Sequence, residues 1–243
     1  MKFSDLVKLY EEKKKIYSDN AYKHISKLLE EAKVTHKKDF LKSKTADKAT
    51  KEGRTPDHEQ SWRAFKGKNL EKLIGYIIKK EIEDLGLKIT NDAALDSDTL
   101  TEELSRVRRN LVVHYGKYDI VPDTDLVIYD PIDYQIIAII SSKVTLRERI
   151  AQTAYWKLKL SQDPVTKNIK ALFVTPDENG DLVEKLPSSH GNSRGFKGRI
   201  IVEYDTDGAY VLREVEESEK VKKFPKLIDD IRRIVHEKQK RSK

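Results

Sequence analysis

Two apolar runs joined by a short polar turn dominate the middle of the chain: Leu126-Val-Ile-Tyr129, then Asp130-Pro-Ile-Asp133, then Tyr134-Gln-Ile-Ile-Ala-Ile-Ile-Ser141. Short runs of β-branched and aromatic residues bounded by Asp and Pro form strands, and so brief a connection makes the two strands antiparallel neighbours. The hairpin then constrains chemistry as well as shape. It sets Asp125, at the start of the first strand, beside Lys143, at the end of the second. A carboxylate and an ammonium group side by side suit a metal and a water for attack on a phosphodiester. The plainer alternative with the same spacing is a surface hairpin that ends in a lysine.

Around this hairpin the chain alternates helical and strand patterns. Residues 1 to about 45 have helical periodicity, with Phe3, Leu6, Val7 and Tyr10 on one stripe and Ile25, Leu28 and Leu29 on another. Lys42 to Pro56 has almost nothing to bury and reads as a linker, either a solvated connection or a loop that orders on phosphate backbone. A long helix follows from Ser61 or Gly67 to Leu85, ended by Gly86. A polar loop over Thr90–Asp98, a short helix over Leu100–Arg109 and a strand over Leu111–Tyr115 lead into the hairpin.

Beyond Lys143 a helix carries Leu146, Ile150, Ala154 and Leu158 on its apolar side and Glu148, Gln152 and Tyr155 on a different stripe. The strand Ile169–Thr175 comes next, and strand, helix, strand favours a parallel crossover. Residues 184–199 read as a loop, Ile200–Tyr204 and Ala209–Arg213 as a second hairpin, and Phe224 to Val235 as an amphipathic helix before a basic tail. The expected fold is α/β: a central mixed β-sheet flanked by helices, with an N-terminal helical elaboration. Residues 1–60 form the helical region and basic linker, and residues 61–243 the core with its C-terminal hairpin and helix.

Pro122-Asp-Thr-Asp125, the apolar run after it, the turn, and the second strand ending in Ser141-Ser142-Lys143 resemble the core of the PD-(D/E)XK nuclease superfamily. The continuation Val144-Thr-Leu-Arg-Glu-Arg-Ile-Ala-Gln-Thr-Ala-Tyr-Trp156 is similar to the segment after the catalytic lysine in type II restriction endonucleases. The resemblance implies sequence-specific, metal-dependent hydrolysis of double-stranded DNA that leaves 5′-phosphate and 3′-hydroxyl ends. One position departs from the superfamily pattern: Ser141 stands where Asp or Glu is usual, two residues before the lysine. Restriction enzymes with Ser-x-Lys recruit an acid from elsewhere. Glu71 is the expected replacement, because Ser61 to Glu71 is similar to the superfamily's first core helix, with Glu148 as the fallback.

Asp123 and Asp125 compete for the first metal position, since alternation puts both on one face of an extended segment. Asp125 directly precedes the apolar strand and is the expected main ligand; Asp123, which follows the proline, remains a supporting or direct one. Lys143 would orient or activate the attacking water and stabilise charge at phosphorus. The oxygen-rich set favours Mg2+, a hard cation that takes one or two carboxylates together with phosphate oxygens and waters. The histidines show no metal-ligand spacing, so zinc is poorly supported.

A balance of 48 Lys and Arg against 41 Asp and Glu, net +7, suits a polyanionic partner. Arg147 and Arg149 either contact phosphate near the scissile bond or pair with Glu148 and solvent. The segment with His190, Asn192, Arg194 and Lys197 either reads base edges, where Asn and Arg pair bidentately with adenine and guanine, or merely turns between strands. A homodimer is expected, because one active site cuts one strand and a two-fold protein matches a palindromic sequence. The absence of cysteine excludes disulfides and thiolate metal sites. With no apolar run near the ~20 residues of a membrane span and no secretory apolar core, a cytoplasmic protein without membrane contact is expected. Two other functions share these features: a repair or structure-specific nuclease, and a DNA-binding module whose active site has degenerated at Ser141.

Overall fold

The three-dimensional structure is a computed structural model that describes residues 1–144, 147–184, 186 and 196–241, apart from the side chains of residues 147–149 and 241. The chain divides into two compact units, Met1–Leu73 and Ile74–Lys243. Among the described residues no helix is long and apolar enough to cross a membrane.

The first unit is helical: α1 (Phe3–Tyr17), a 3-10 segment (Ser18–His24), α2 (Ile25–Leu41), α3 (Lys44–Lys51) and the first part of α4 (His58–Asp84). Helical spacing accounts for what it buries, Leu6 and Tyr10 from α1 and Ile25, Leu28, Leu29, Ala32 and His36 from α2. The α3 helix corrects the expectation of a linker over Lys42–Pro56. Its sequence is mostly Lys, Ala and Thr, but Ser43 caps it by accepting the Ala46 N–H at 3.3 Å, and Ala46 is buried. Gly53, at a φ of 71°, ends it, and the Arg54 N–H reaches back to the Ala49 carbonyl at 2.9 Å. One buried alanine and two good caps give a short helix that composition alone does not reveal.

The second unit holds a six-stranded sheet in the order β1-β4-β5-β6-β7-β8, built from β1 (Lys88–Asn91), β4 (Leu126–Tyr129), β5 (Ile136–Ser142), β6 (Lys170–Thr175), β7 (Gly208–Val211) and β8 (Val221–Lys223). The β1–β4 and β4–β5 pairs are antiparallel, and the β5–β6, β6–β7 and β7–β8 pairs are parallel. The expected mixed sheet is therefore present, with β4 and β5 forming the expected hairpin. Every residue of these two strands is buried, which is why they read as unbroken apolar runs instead of alternating ones. A separate two-stranded ribbon, β2 (Val113–Tyr115) with β3 (Tyr118–Ile120), precedes β4.

Helices complete the second unit: α5 (Asp92–Leu95), α6 (Glu102–Arg109), α7 (Arg147–Leu160), α8 (Lys197–Asp205) and α9 (Lys226–Arg241). Val127, Ile139 and Ala171 of the sheet pack with Val107 of α6 and Leu160 of α7. Phe173, Ala209 and Val211 pack with Ile150 of α7 and Val202 of α8. Part of the expected polar loop Thr90–Asp98 is instead the end of β1 and the single turn α5, capped by the Asn91 side chain on the Ala94 N–H at 2.8 Å.

The second hairpin is also corrected. Ile200–Tyr204 lies in α8, and β7 pairs parallel with β6. Ile200-Ile-Val202 has strand-like composition, but parallel neighbours need a connection that crosses the sheet, and a helix provides it. Within α8, Arg199 is fully buried and bonds Glu203 one turn on at 2.9 Å. The same guanidinium donates to the carbonyls of Leu182 and of Glu216, at 2.5 and 2.8 Å, tying down both flanking connections.

Candidate active site

The β4–β5 register places Asp125 opposite Ser141: Leu126 pairs with Ile140, and the Asp125 N–H donates to the Ile140 carbonyl at 3.1 Å. Thr124, buried beside it, donates its hydroxyl to the same carbonyl at 3.1 Å and so fixes the entry to the strand. The Asp125 side chain is only 5% exposed. One carboxylate oxygen accepts the Ser142 N–H at 2.5 Å and the other accepts the Lys143 ammonium at 2.8 Å. Lys143 is itself held from behind, its N–H donating to the Val174 carbonyl of β6 at 3.2 Å. A carboxylate and a lysine are thus fixed side by side by main-chain bonds on three strands.

The α7 helix approaches the same strand end. Gln152 donates its amide to the Asp123 carboxylate, which is exposed, two residues before Asp125. One turn further on, the Tyr155 hydroxyl meets that of Tyr115 in β2 at 2.6 Å, and the Lys159 ammonium lies over the Tyr115 ring. The hydrogen bond with Tyr155, helped by burial, pushes the Tyr115 phenol up to about 12. The Gln152–Tyr155 stripe of α7 therefore fastens the segment that leads into the site. After β6, the third Pro-Asp of the chain is structural: both Asp177 oxygens accept backbone N–H groups, of Asp181 at 3.0 Å and Leu182 at 2.9 Å. Burial raises the Asp177 carboxyl above the ordinary aspartate value.

Of the residues expected at the site, Asp125 and Lys143 are in direct contact, and Asp123 lies beside them in the chain. Ser141 is buried opposite Asp125, on the sheet face that the missing acid would have occupied. Glu71 is half-buried on α4, in the first unit. Lys197 is exposed at the start of α8, not in a loop. His190, Asn192 and Arg194 lie outside the described residues, as do the side chains of Arg147, Glu148 and Arg149. Gln152 was not expected to act here, although its place on the Glu148–Gln152–Tyr155 stripe was visible as a helical pattern. Among the described residues no three or more of His, Cys, Asp and Glu gather as a metal-binding group.

Residues 103–232, over half of the chain, match the sequence model of a family described as BsaWI restriction endonuclease type 2. A Methanocaldococcus jannaschii protein named as a type II restriction enzyme, MjaVIP, is 40% identical over 211 residues, which is 86% of this chain and 92% of that protein. A Helicobacter pylori protein named as a type II restriction enzyme, HpyAORF263P, is 36% identical over 160 residues, 64% of this chain and 83% of that one. The solved structure of the restriction endonuclease PspGI with substrate DNA has the same fold, at a TM-score of 0.53 and 14% identity, covering 98% of this chain and 96% of that one. The family span contains Asp123, Asp125, Lys143 and Gln152, the residues that meet at the β4–β5 end, and the chain belongs to the type II restriction endonucleases of this BsaWI family.

Proposed function

We propose that the chain is a PD-(D/E)XK nuclease that binds double-stranded DNA and hydrolyses it at a short specific sequence, using Mg2+ and leaving 5′-phosphate and 3′-hydroxyl ends. The observation that carries this reading is the buried Asp125 carboxylate in contact with the Lys143 ammonium at 2.8 Å. The donors present fit a hard cation: Asp125 and the exposed Asp123 are both carboxylates, and magnesium needs only one or two of these beside phosphate oxygens and waters. Magnesium bound there would neutralise charge on the scissile phosphate and acidify a bound water. Asp125 also keeps the Lys143 side chain oriented. Lys143 would donate from Nζ to the attacking water or to a phosphate oxygen, orienting the one and stabilising charge on the other.

Glu71 is proposed as the carboxylate that stands in for the acid absent at Ser141. Its support is the similarity of Ser61 to Glu71, within α4, to the superfamily's first core helix, which carries a glutamate facing the active site. Arg147 and Arg149 are proposed to contact phosphate, and His190, Asn192, Arg194 and Lys197 to contribute to reading the bases. Residues 61–243 would form the nuclease core, with residues 1–60 as its helical elaboration. The enzyme would act in the cytoplasm as a homodimer, one active site per DNA strand.

The test is Lys143→Ala. Cleavage of plasmid in magnesium should be abolished, while binding to the same DNA in calcium stays within about tenfold, ~1.4 kcal/mol. Retained cleavage would overturn the assignment of this site. If the unaltered protein binds DNA but cuts nothing with any divalent ion, the degenerate DNA-binding module that Ser141 suggests takes its place.

A further inference from the structure

The α7 helix carries two apolar stripes, one buried in the molecule and one largely at its surface. Ile150 and Leu160 are buried, whereas Ala151, Ala154, Tyr155 and Leu158, at helical spacing, border an open groove of about 610 Å3 against α8. Its other wall is Ile201 and Tyr204. Leu158 is 59% and Tyr204 78% exposed, so two large side chains stand proud beside a floor of alanines. Soluble proteins rarely leave such a contiguous patch bare without a partner for it.

The charges on the groove indicate which partner. Asp205 and Lys220 both line it, and neither has an ion-pair partner among the described residues. With Lys157 paired to Asp207 and Asp205 balanced by Lys220, the groove carries no net positive charge to draw a polyanion. A two-fold copy of the same face instead brings Asp205 against the partner's lysine and Lys220 against its aspartate, while each Tyr204 finds an alanine-floored groove opposite. We propose that the α7–α8 groove is the surface through which two copies of this chain associate. This names the partner surface for the homodimer of the proposed function and rests on that reading. The α7 helix also carries Gln152 to Asp123, so association here would link the pairing of two copies to the catalytic strand of each.

Sedimentation of the purified full chain tests this, with thermal unfolding as the check on folding. The unaltered protein should be dimeric at micromolar concentration. Tyr204→Glu and, on the opposite wall, Leu158→Lys should each weaken the dimer by about thirtyfold or more, the size expected for a central interface residue. Asp205→Lys or Lys220→Asp alone should weaken it, and the two together should restore most of the loss, because the reversed pair is again complementary across the two-fold axis. On supercoiled plasmid the weakened variants should nick one strand before linearising. A monomeric unaltered protein overturns the proposal, as do variants that remain fully dimeric or a double reversal that restores nothing. Weakened DNA binding with association unchanged also overturns it, making the groove a DNA contact. None of these outcomes touches the Lys143 test, so the surface and the nuclease reading stand or fall separately.

Discussion

Replacing Lys143 with methionine keeps the aliphatic stem and removes the ammonium, leaving Asp125 as a buried carboxylate without its ionic partner. A fully buried pair broken in this way costs about 3–5 kcal/mol, and an exposed pair ~1 kcal/mol or less. Here the carboxylate is 5% and the lysine 25% exposed, so the pair lies nearer the buried limit. The Ser142 N–H still satisfies the second oxygen at 2.5 Å, which lowers the expected cost to about 2–3 kcal/mol. Asp125→Asn keeps that N–H bond but turns an amide toward the ammonium, at about 1–2 kcal/mol. The double variant buries no charge and should cost less than the sum by about 1–2 kcal/mol.

The assay is equilibrium urea unfolding followed by fluorescence. The chain has 2 tryptophans, Trp62 in the first unit and Trp156 in the second, so in a Trp62→Phe background the signal reports the unit that holds the site. Separate reporting matters because two compact units need not unfold together. Single costs that add to the double within about 0.5 kcal/mol would refute the reasoning and leave Asp125 held by the Ser142 N–H alone. The same substitution has an electrostatic consequence. Removing the ammonium takes one positive charge from the site, so if Asp125 holds a divalent cation as proposed, calcium affinity measured by calorimetry without DNA should rise; a fall would overturn that role for Asp125.

Gln152→Ala frees the Asp123 carboxylate and should raise the magnesium concentration for half-maximal cleavage by about tenfold, while DNA affinity in calcium is held; an unchanged magnesium titration refutes a role for that contact. Arg199→Met removes a fully buried guanidinium from Glu203 and two carbonyls and should destabilise the second unit by about 3–5 kcal/mol in the Trp156 assay, with Arg199→Lys recovering less than half because a lysine cannot reproduce the fork. In the first unit, His36 touches His58 at 3.2 Å, and burial, then the charge of His58, holds its pKa below the usual 6.5. The unfolded chain therefore takes up more protons than the folded one as pH falls from 6.5 toward the lowered value, and stability present above 6.5 is lost across that window. Trp62, whose ring lies 5.4 Å from that of His36, should report a lower unfolding midpoint in mild acid, and His36→Gln should flatten the slope.

The parts of the fold that sequence reading recovers are those in which local pattern and tertiary role agree. Val127 and Ile139 are directly paired and buried, in strands apolar throughout, so composition alone points to a covered hairpin. Failure comes where the two disagree. Ile200-Ile-Val202 has β composition inside a helix, because the parallel β6–β7 pair requires a crossover and Arg199 to Glu203 closes one helical turn. No periodicity over so short an apolar run separates these alternatives, and the parallel pair that decides between them joins residues far apart in the chain, such as Leu172 and Gly208. Residues 44–51 fail for the opposite reason, since the helix rests on caps and one alanine and leaves no apolar stripe to detect.

The site divides along the same line. Asp125 meets Lys143 because a hairpin's register is set by its turn and its apolar faces, and both are written in adjacent residues. Gln152 meets Asp123 across 29 residues, through a helix whose rotation on the sheet depends on how Ile150, Thr153 and Leu160 pack, and no spacing from Lys143 encodes that angle. A side chain placed by register can be read from a strand pattern, whereas one placed by helix rotation can only be narrowed to a stripe. The carboxylate proposed to compensate for Ser141 would be of the second kind, since among the described residues Asp125 is the only carboxylate on the strands beside Lys143 that contacts it. Glu71 on α4 and Glu148 on the Gln152 stripe of α7 are the two helical positions proposed for it. Exchanging each for its amide separates them: the true ligand should lose cleavage and divalent-metal affinity together, and the other should lose neither.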